Sequence, residues 1–372
     1  MADEKRTSLL EALERVCNVD VDAIDPKVST KMPFKPHNQT SNQVICCNTM
    51  LQTEYRDIFL ENVKKYGSQG WEEVFNRVSV KFCADNRKNI TGRVLVQVSP
   101  SHVHDKQQVL DQCDAYDRAF RDHGITRDQY AIKIASTGPG LAAAKILTEE
   151  GIRTLGTSMF SLPQAIAASQ AGCLFVSPYL NEVAAYEDDS LMHKGDNPAM
   201  THPMAPRLVH ILETYAKMYQ ATGKDQPLIV IASNANIGEI IATAELGCQH
   251  ITILAHHLEE LQDTTFDDTA LSRYPFLKDP PPKRQAPYYK DFKTRDRLQG
   301  HMKIDPLVGP TWDGNFASTE TDWLAKDGEA LSKAIEADPA VVKKLKDVFK
   351  AFGDADVKAK AAIEREMANL EG

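Results

Sequence analysis

Strand-like apolar runs alternate with helical segments along most of this 372-residue chain, and no other feature limits the fold as strongly. The strand candidates are 19–24, a short run near 40–44, 93–100, 130–136, 152–159, 173–180, 228–233 and 251–255. Helical periodicity occupies 106–123, 140–150, 163–170, 205–221 and 238–247. Such alternation predicts right-handed βαβ units in a parallel sheet. Eight units predict an α/β fold of the (β/α)8 TIM barrel type, with chemistry at the carboxyl ends of the strands. A doubly wound open sheet is the alternative, although no GxGxxG motif follows the first strand.

The region beyond the last strand candidate differs in character. Residues 258–320 are polar and contain Pro280 to Pro282, so we expect a surface excursion. Residues 321–372 are rich in Ala, Lys and Glu and form a predicted C-terminal helical extension. Its apolar positions are Val341, Val342, Leu345, Val348 and Phe349. We expect these helices to pack on the barrel, which makes residues 1–372 one domain.

A lysine stands in the middle of the most apolar strand candidate. Lys133 lies in the run YAIKIAST, which is typical of a strand buried on both faces. A buried ammonium is unfavourable unless it is paired or its pKa falls, and a neutral lysine is a nucleophile that forms Schiff bases with ketones. Lys133 is therefore either a nucleophile or one partner of a buried ion pair.

Composition excludes several classes of function. A net charge of -9 without a dense Lys/Arg stripe argues against binding to nucleic acid or to anionic membranes. No stretch approaches transmembrane length and the N-terminus has no apolar signal segment, so we expect a cytosolic (cytoplasmic) protein. The seven cysteines are scattered without CxxC spacing. We expect them to be reduced and buried, with neither a disulfide framework nor a zinc site.

The strand ends carry polar residues that surround Lys133 in a barrel: Asp22, Gln97, Thr157, Ser177 and Tyr179. Several segments resemble the transaldolase family of class I aldolases. The matching pieces are Asp22 with Asp25, TSN ending at Asn42, KIAST around Lys133, EGIRTLGT ending at Thr157, FSLPQA, AGCLFVSPY and ASNANIGEI. They occur in order between about Asp22 and His257, at intervals similar to those of the family.

The resemblance implies roles for individual residues. Lys133 resembles the Schiff-base lysine, and Asp22 resembles the acidic residue that assists proton transfer at the donor hydroxyl. Asn42 and Ser177 resemble donor-binding residues, and Thr157 resembles the residue that holds the catalytic water. Ser233, in ASNANIGEI, falls in a segment that the family uses for substrate binding. No metal or organic cofactor is implied.

Two catalytic positions differ from sugar-phosphate transaldolases. Gln97 stands where most of them carry a glutamate, and Tyr179 stands where they carry phenylalanine after Ser-Pro. An amide holds water but accepts no proton, whereas a phenol donates one. Both changes, together with TLGT, resemble the fructose-6-phosphate aldolase branch. They favour an aldolase that uses a small hydroxyketone donor.

The phosphate-binding positions differ as well. Family members bind the acceptor's phosphate with an arginine after the SP motif and with a basic residue after the seventh strand, where this chain has Glu182 and Ala235. A carboxylate repels phosphate, so a non-phosphorylated aldehyde is expected. Glu182 either binds the substrate or is an exposed loop residue. The remaining candidates for a replacement cation are interpreted as surface or capping residues: Lys194, His193, His202, His256 and His257.

Three functions remain open at this point. The favoured one is a Schiff-base aldolase that makes or breaks a carbon-carbon bond between a small hydroxyketone and a non-phosphorylated aldehyde. A transaldolase that moves a dihydroxyacetone unit between sugar phosphates is the second, and a non-catalytic relative that binds a metabolite is the third. The expected partners are small-molecule carbonyl substrates. The sequence leaves the oligomeric state open, with a homodimer as one option.

Overall fold

A closed barrel of parallel strands forms the centre of the computed structural model, which describes residues 7–371. Each strand pairs with its neighbours in chain order, and β1 also pairs with β8 to close the barrel. The strands are β1 (Asn18–Asp22), β2 (Gln39–Thr40), β3 (Val94–Gln97), β4 (Tyr130–Ala135), β5 (Thr154–Met159), β6 (Phe175–Pro178), β7 (Leu228–Ile231) and β8 (His250–Leu254). The predicted (β/α)8 barrel is confirmed, and the open-sheet alternative is wrong.

Helices follow the strands and surround the barrel. They are α1 (Leu9–Glu14), α2 (Pro26–Lys31), α3 (Gln43–Met50), α4 (Arg56–Tyr66), α5 (Trp71–Asn86), α6 (Lys106–Asp122), α7 (Gly138–Glu149), α8 (Leu162–Gln170), α9 (Pro198–Thr201), α10 (Ala205–Thr222), α11 (Ile237–Leu246), α12 (Ala255–Asp263), α13 (Asp268–Arg273), α14 (Ala325–Glu336) and α15 (Pro339–Glu371). No helix within residues 7–371 is both long and apolar enough to cross a membrane.

The first two strands are shorter than the apolar pattern predicts, because capping residues begin a helix soon after each of them. The side chain of Asp25 accepts a hydrogen bond from the Lys27 amide and caps α2, so β1 ends at Asp22. Likewise Asn42 accepts from the Ile45 amide at 3.0 Å and caps α3, so the second strand ends at Thr40. Side-chain caps satisfy the free amides of a helix N-terminus, which favours the helix over a longer strand.

The predicted excursion begins later than residue 258, since α12 continues to Asp263. The excursion packs on the barrel through buried residues such as Tyr289. The hydroxyl of Tyr289 donates a hydrogen bond to the Pro227 carbonyl at 2.6 Å. All seven cysteines are free and buried, as predicted. Residues 1–6 and 372 lie outside the described residues, and the extent of the single domain stays a prediction.

The long helix α15 lies across the carboxyl ends of the strands. Its apolar positions Val341, Leu345, Val348 and Phe352 recur at helical spacing and pack on Phe160, Tyr179 and Ala232, which follow or end strands β5, β6 and β7. Burying each such side chain stabilises the fold by about 1.5–3 kcal/mol. This contact makes α15 a roof over the mouth of the barrel.

A buried carboxylate also holds α15 in place. Asp356 is 8% exposed and accepts a hydrogen bond from the Ser99 hydroxyl at 2.5 Å, next to β3. Burial raises the pKa of Asp356 from 3.8 to about 6, the Ser99 hydrogen bond opposes that rise, and the Glu72 carboxylate adds to it. His102 lies nearby and favours the charged form.

We expect the thermal stability of the protein to depend on the protonation of Asp356. Because its pKa is higher in the folded state, the neutral carboxyl stabilises the fold below about pH 4, and this contribution is lost as pH rises through about 6. Asp356→Asn should remove a loss on the order of 1 kcal/mol between pH 5 and pH 7, a shift of about 2 °C in Tm. Thermal unfolding at the two pH values measures it.

Asp354→Asn is the matched control, because Asp354 lies on the same helix with its side chain 66% exposed. This variant should keep the wild-type pH dependence. If Asp356→Asn also keeps it, the buried carboxyl does not set the stability of the roof.

Candidate active site

Lys133 points into the mouth of the barrel from the middle of β4. Its side chain is buried, and Nζ donates a hydrogen bond to the Ser41 carbonyl at 3.0 Å. Burial lowers the pKa of the Lys133 amine from 10.5, and the negative charge of Asp22 opposes part of that shift. The described contacts therefore give Lys133 a carbonyl rather than a direct carboxylate partner, and its surroundings favour the neutral amine.

A cavity of about 470 Å³ opens above the amine at the carboxyl ends of the strands. This volume lies within the range of about 300–1,000 Å³ that is usual for small-molecule sites. Five of the predicted site residues line it: Asp22, Asn42, Lys133, Tyr179 and Ser233. The barrel thus brings together side chains that are far apart in the sequence.

Asp22 ends β1 and is held in a fixed position. The Thr40 hydroxyl donates to its Oδ1 at 2.5 Å, and Thr40 in turn lies 2.8 Å from the hydroxyl of Thr252 on β8. These contacts join three neighbouring strands through their side chains. The carboxylate is therefore positioned at the cavity beside Lys133, on which its charge acts.

Tyr179, directly after β6, supplies a protonated hydroxyl at the cavity. Burial raises its pKa to about 12, and a hydrogen bond with Thr157 opposes that rise. The two hydroxyls are 3.3 Å apart. At neutral pH the Tyr179 phenol is therefore a proton donor, and Thr157 lies directly behind it.

Gln97 lies beside Lys133 in the register of β3 and β4. Its Nε2 donates to Gln43 Oε1 at 2.8 Å, whereas its own Oε1 is buried without a partner among the described residues. A buried amide oxygen without a partner usually marks a place for water or ligand. Gln97, Thr157 and Ser177 are buried but do not line the cavity.

Besides Ser177, two more of the predicted substrate-binding residues, Glu182 and Ala235, lie outside the cavity. Glu182 forms ion pairs with Lys343 and Lys344 of α15, and its side chain is 14% exposed. The lysines are thus its partners in this structure, and it is not an exposed loop residue. Ala235 also lies outside, with its amide donating to Glu239 Oε2 at 2.7 Å.

Several residues of the cavity escaped the sequence analysis. Asn234 lines it, and neither atom of its buried amide has a partner among the described residues. Ser233 adopts a left-handed backbone, with φ at 63°, that turns the chain at this point. In the sequence, the only indication that Asn234 belongs to a site is that Ser233 and Asn234 are polar residues shortly after the end of β7. Further lining residues come from β8, α12 and α15: Thr252, His257, Ala351, Phe352 and Ala355.

His202 and His257, interpreted from the sequence as surface or capping residues, are both buried, and His202 is the C-cap residue of α9. His257 is buried and lines the cavity, and burial lowers its pKa, with a further lowering by His256. His202 is buried against Asn181, and burial lowers its pKa to about 3. Neither imidazole is therefore a cation at neutral pH. Lys194 and His256 are exposed, as expected.

The described residues contain no group of three or more His, Cys, Asp or Glu side chains placed to hold a metal ion. Three side-chain groups at the cavity can take part in chemistry. These are an amine with a lowered pKa, a positioned carboxylate and a phenol.

Comparison with known proteins agrees with this arrangement. The profile of the family Transaldolase/Fructose-6-phosphate aldolase matches residues 18–286. A transaldolase from Allorhizobium ampelinum is 31% identical over 267 residues, which cover 70% of this chain and 80% of that protein. One from Nostoc punctiforme is 32% identical and covers 69% and 77%, and one from Thermosynechococcus vestitus is 27% identical and covers 98% and 83%. The chain belongs to the transaldolase/fructose-6-phosphate aldolase family.

Proposed function

We propose that this enzyme is a Schiff-base aldolase that joins a small hydroxyketone to a non-phosphorylated aldehyde, or cleaves the corresponding product. The observation that carries the proposal is the buried Lys133 amine, whose pKa is lowered at the base of a cavity that a substrate can enter. A neutral amine attacks a carbonyl, whereas an ammonium does not. Because the chain belongs to a family of enzymes, we set aside the alternative of a non-catalytic binding protein.

The reaction proceeds through an iminium on Lys133. The amine adds to the donor ketone and water leaves; the iminium then withdraws electrons, so the adjacent carbon loses a proton and becomes an enamine. That carbon bonds to the aldehyde carbon while the carbonyl electrons move to oxygen, which takes up a proton. Water finally adds to the iminium and releases the product and the free amine.

The other side chains move protons and hold water in these steps. The Tyr179 phenol donates a proton to the acceptor oxygen when the bond forms, and the resulting phenolate takes that proton back when the reaction runs towards cleavage. Asp22 assists proton transfer at the donor hydroxyl. Gln97 and Thr157 hold the water, since Gln97 Oε1 has no protein partner within the described residues and Thr157 contacts Tyr179. Asn42 and Ser233, which line the cavity, bind the donor's hydroxyls, and Ser177 is buried without lining the cavity.

The preference for a non-phosphorylated acceptor rests on charge. At the positions where the family carries basic residues, this chain has Glu182, paired with lysines of α15, and Ala235, which has no charge. Transfer of a dihydroxyacetone unit between sugar phosphates is the second candidate, because the relatives are named transaldolases. Gln97, Tyr179 and Glu182 argue against that second candidate.

Borohydride reduction in the presence of dihydroxyacetone or hydroxyacetone should trap an adduct on Lys133. Mass spectrometry should show a gain equal to the donor less one oxygen atom. Because the pKa of Lys133 is lowered, the pH at half-maximal trapping should lie below 10.5. Lys133→Met should give no adduct.

Lys344→Met is the matched control for trapping. Lys344 is also buried with a lowered pKa, mainly through desolvation, but it lies outside the cavity. This variant should keep the adduct. Trapping that survives in Lys133→Met would show that another group reacts, and the mechanism would be wrong.

Tyr179→Phe should lower kcat for bond formation by about 10²–10⁴-fold, the usual contribution of a general acid. The ring that packs on Phe160 remains, so the fold should not change. Steady-state kinetics with glyceraldehyde as acceptor measures the loss. As the control, Tyr186→Phe removes another hydroxyl at the cavity and should lower kcat much less. If the two variants lose equal amounts of kcat, Tyr179 is not the proton donor.

Acceptor preference separates the two candidate functions. With a hydroxyketone donor, kcat/KM should be at least about tenfold higher for glyceraldehyde than for glyceraldehyde 3-phosphate, a difference of about 1.4 kcal/mol in transition-state binding. A coupled assay of transfer from fructose 6-phosphate should give little product. Efficient transfer to a phosphorylated acceptor would instead establish a transaldolase.

A further inference from the structure

The cavity above Lys133 has a polar floor and an apolar wall. The strands contribute the floor, which includes Asp22, Lys133 and Thr252. The surrounding helices contribute a set of apolar side chains that we call the apolar wall. It consists of Val44 and Ile45 of α3, Val183 of the short helix after β6, and Ala351, Phe352 and Ala355 of α15. The cavity therefore offers a substrate an apolar surface as well as the polar groups around the amine.

The apolar wall is held together by contacts between the elements that form it. Phe352 is 5% exposed and belongs to the cluster against which Val44 and Val183 pack. Lys358 of α15 donates to Asn48 of α3 at 3.1 Å. Glu182, next to Val183, pairs with Lys343 and Lys344. The carboxylate that replaces the family's phosphate-binding arginine thus fastens the loop after β6 to α15.

The charges at the cavity favour an uncharged acceptor tail over a phosphate, because acidic side chains outnumber basic ones. The acidic side chains are Asp22, Glu187 and Asp354, and the basic ones are Lys133 and Lys358. Lys133 is bound to the donor as the Schiff base during the reaction, and Lys358 contacts the amide oxygen of Asn48. A charged tail against the apolar wall would lose its hydration without gaining a partner, whereas an apolar tail gains by leaving water.

We propose that the acceptor aldehyde carries an uncharged, apolar tail that binds between α3, the loop after β6 and α15, with Phe352 as the main determinant of specificity. This inference rests on the proposed aldolase function and names its substrate class. The aldehyde group faces the enamine on the floor, and the tail lies along the apolar wall. The bond formed and the proton transfers are those of the proposed reaction.

The test compares acceptors that differ in the tail. With the donor that gives an adduct, KM for benzaldehyde should be at least about tenfold below KM for glyceraldehyde, as expected for burial of an aromatic ring. Phe352→Ala should raise KM for benzaldehyde about tenfold, with a much smaller change for glyceraldehyde. Phe349→Ala removes the same ring from the same helix but outside the cavity, and should leave both values unchanged.

A ligand without a carbonyl group separates this inference from the proposed function. Calorimetry should detect binding of benzyl alcohol, weakened by Phe352→Ala and kept by Phe349→Ala, and no binding of glycerol 3-phosphate. Such binding without any adduct on Lys133 would support the apolar site and overturn the aldolase. An adduct together with no advantage for benzaldehyde, or with binding of glycerol 3-phosphate alone, would overturn the apolar acceptor and leave the aldolase standing.

Discussion

The exclusion of water from one amine is the constraint on which the rest of this structure depends. Lys133 stands on a strand whose residues are all buried, so the free energy of keeping it charged is unfavourable. The barrel tolerates the amine because the Ser41 carbonyl accepts its hydrogen bond and the Asp22 carboxylate acts on it without a direct ion pair. A closer carboxylate would stabilise the ammonium and remove the nucleophile.

The roof α15 combines two tasks that are often carried out by separate parts of a barrel enzyme. Its apolar face covers Phe160, Tyr179 and Ala232 and thereby excludes water from the surroundings of the Tyr179 phenol. This burial raises the pKa of the phenol. The same helix places Phe352 at the cavity and pairs its lysines with Glu182. In the proposed aldolase, stability of the fold and selection of the substrate therefore share one helix face.

Periodicity in the sequence was sufficient to predict the barrel, since buried parallel strands produce continuous apolar runs that interrupt helical segments. Lys133 could be singled out because it breaks such a run.

Contacts between distant parts of the chain could not be predicted in this way. The partners of Glu182 lie about 160 positions away on α15, and nothing local distinguishes a paired glutamate from an exposed one. The burial of His202 and His257 likewise depends on neighbours that only the folded chain supplies. The strand after β1 was predicted too long because the capping side chain of Asn42 competes with strand pairing.

The position of α15 in the chain has a consequence for synthesis. Domains fold as the chain emerges, from the N-terminal side onwards, and every strand of the barrel precedes residue 255, whereas the roof begins at Pro339. A barrel that has closed on the ribosome would thus expose Phe160, Tyr179 and Ala232, together with the entrance to a reactive amine, until α15 arrives. During that interval the nascent chain would expose an apolar patch and the Lys133 amine to solvent. The late arrival of α15 thus gives the roof a protective effect during synthesis, in addition to the surface that it contributes to the cavity.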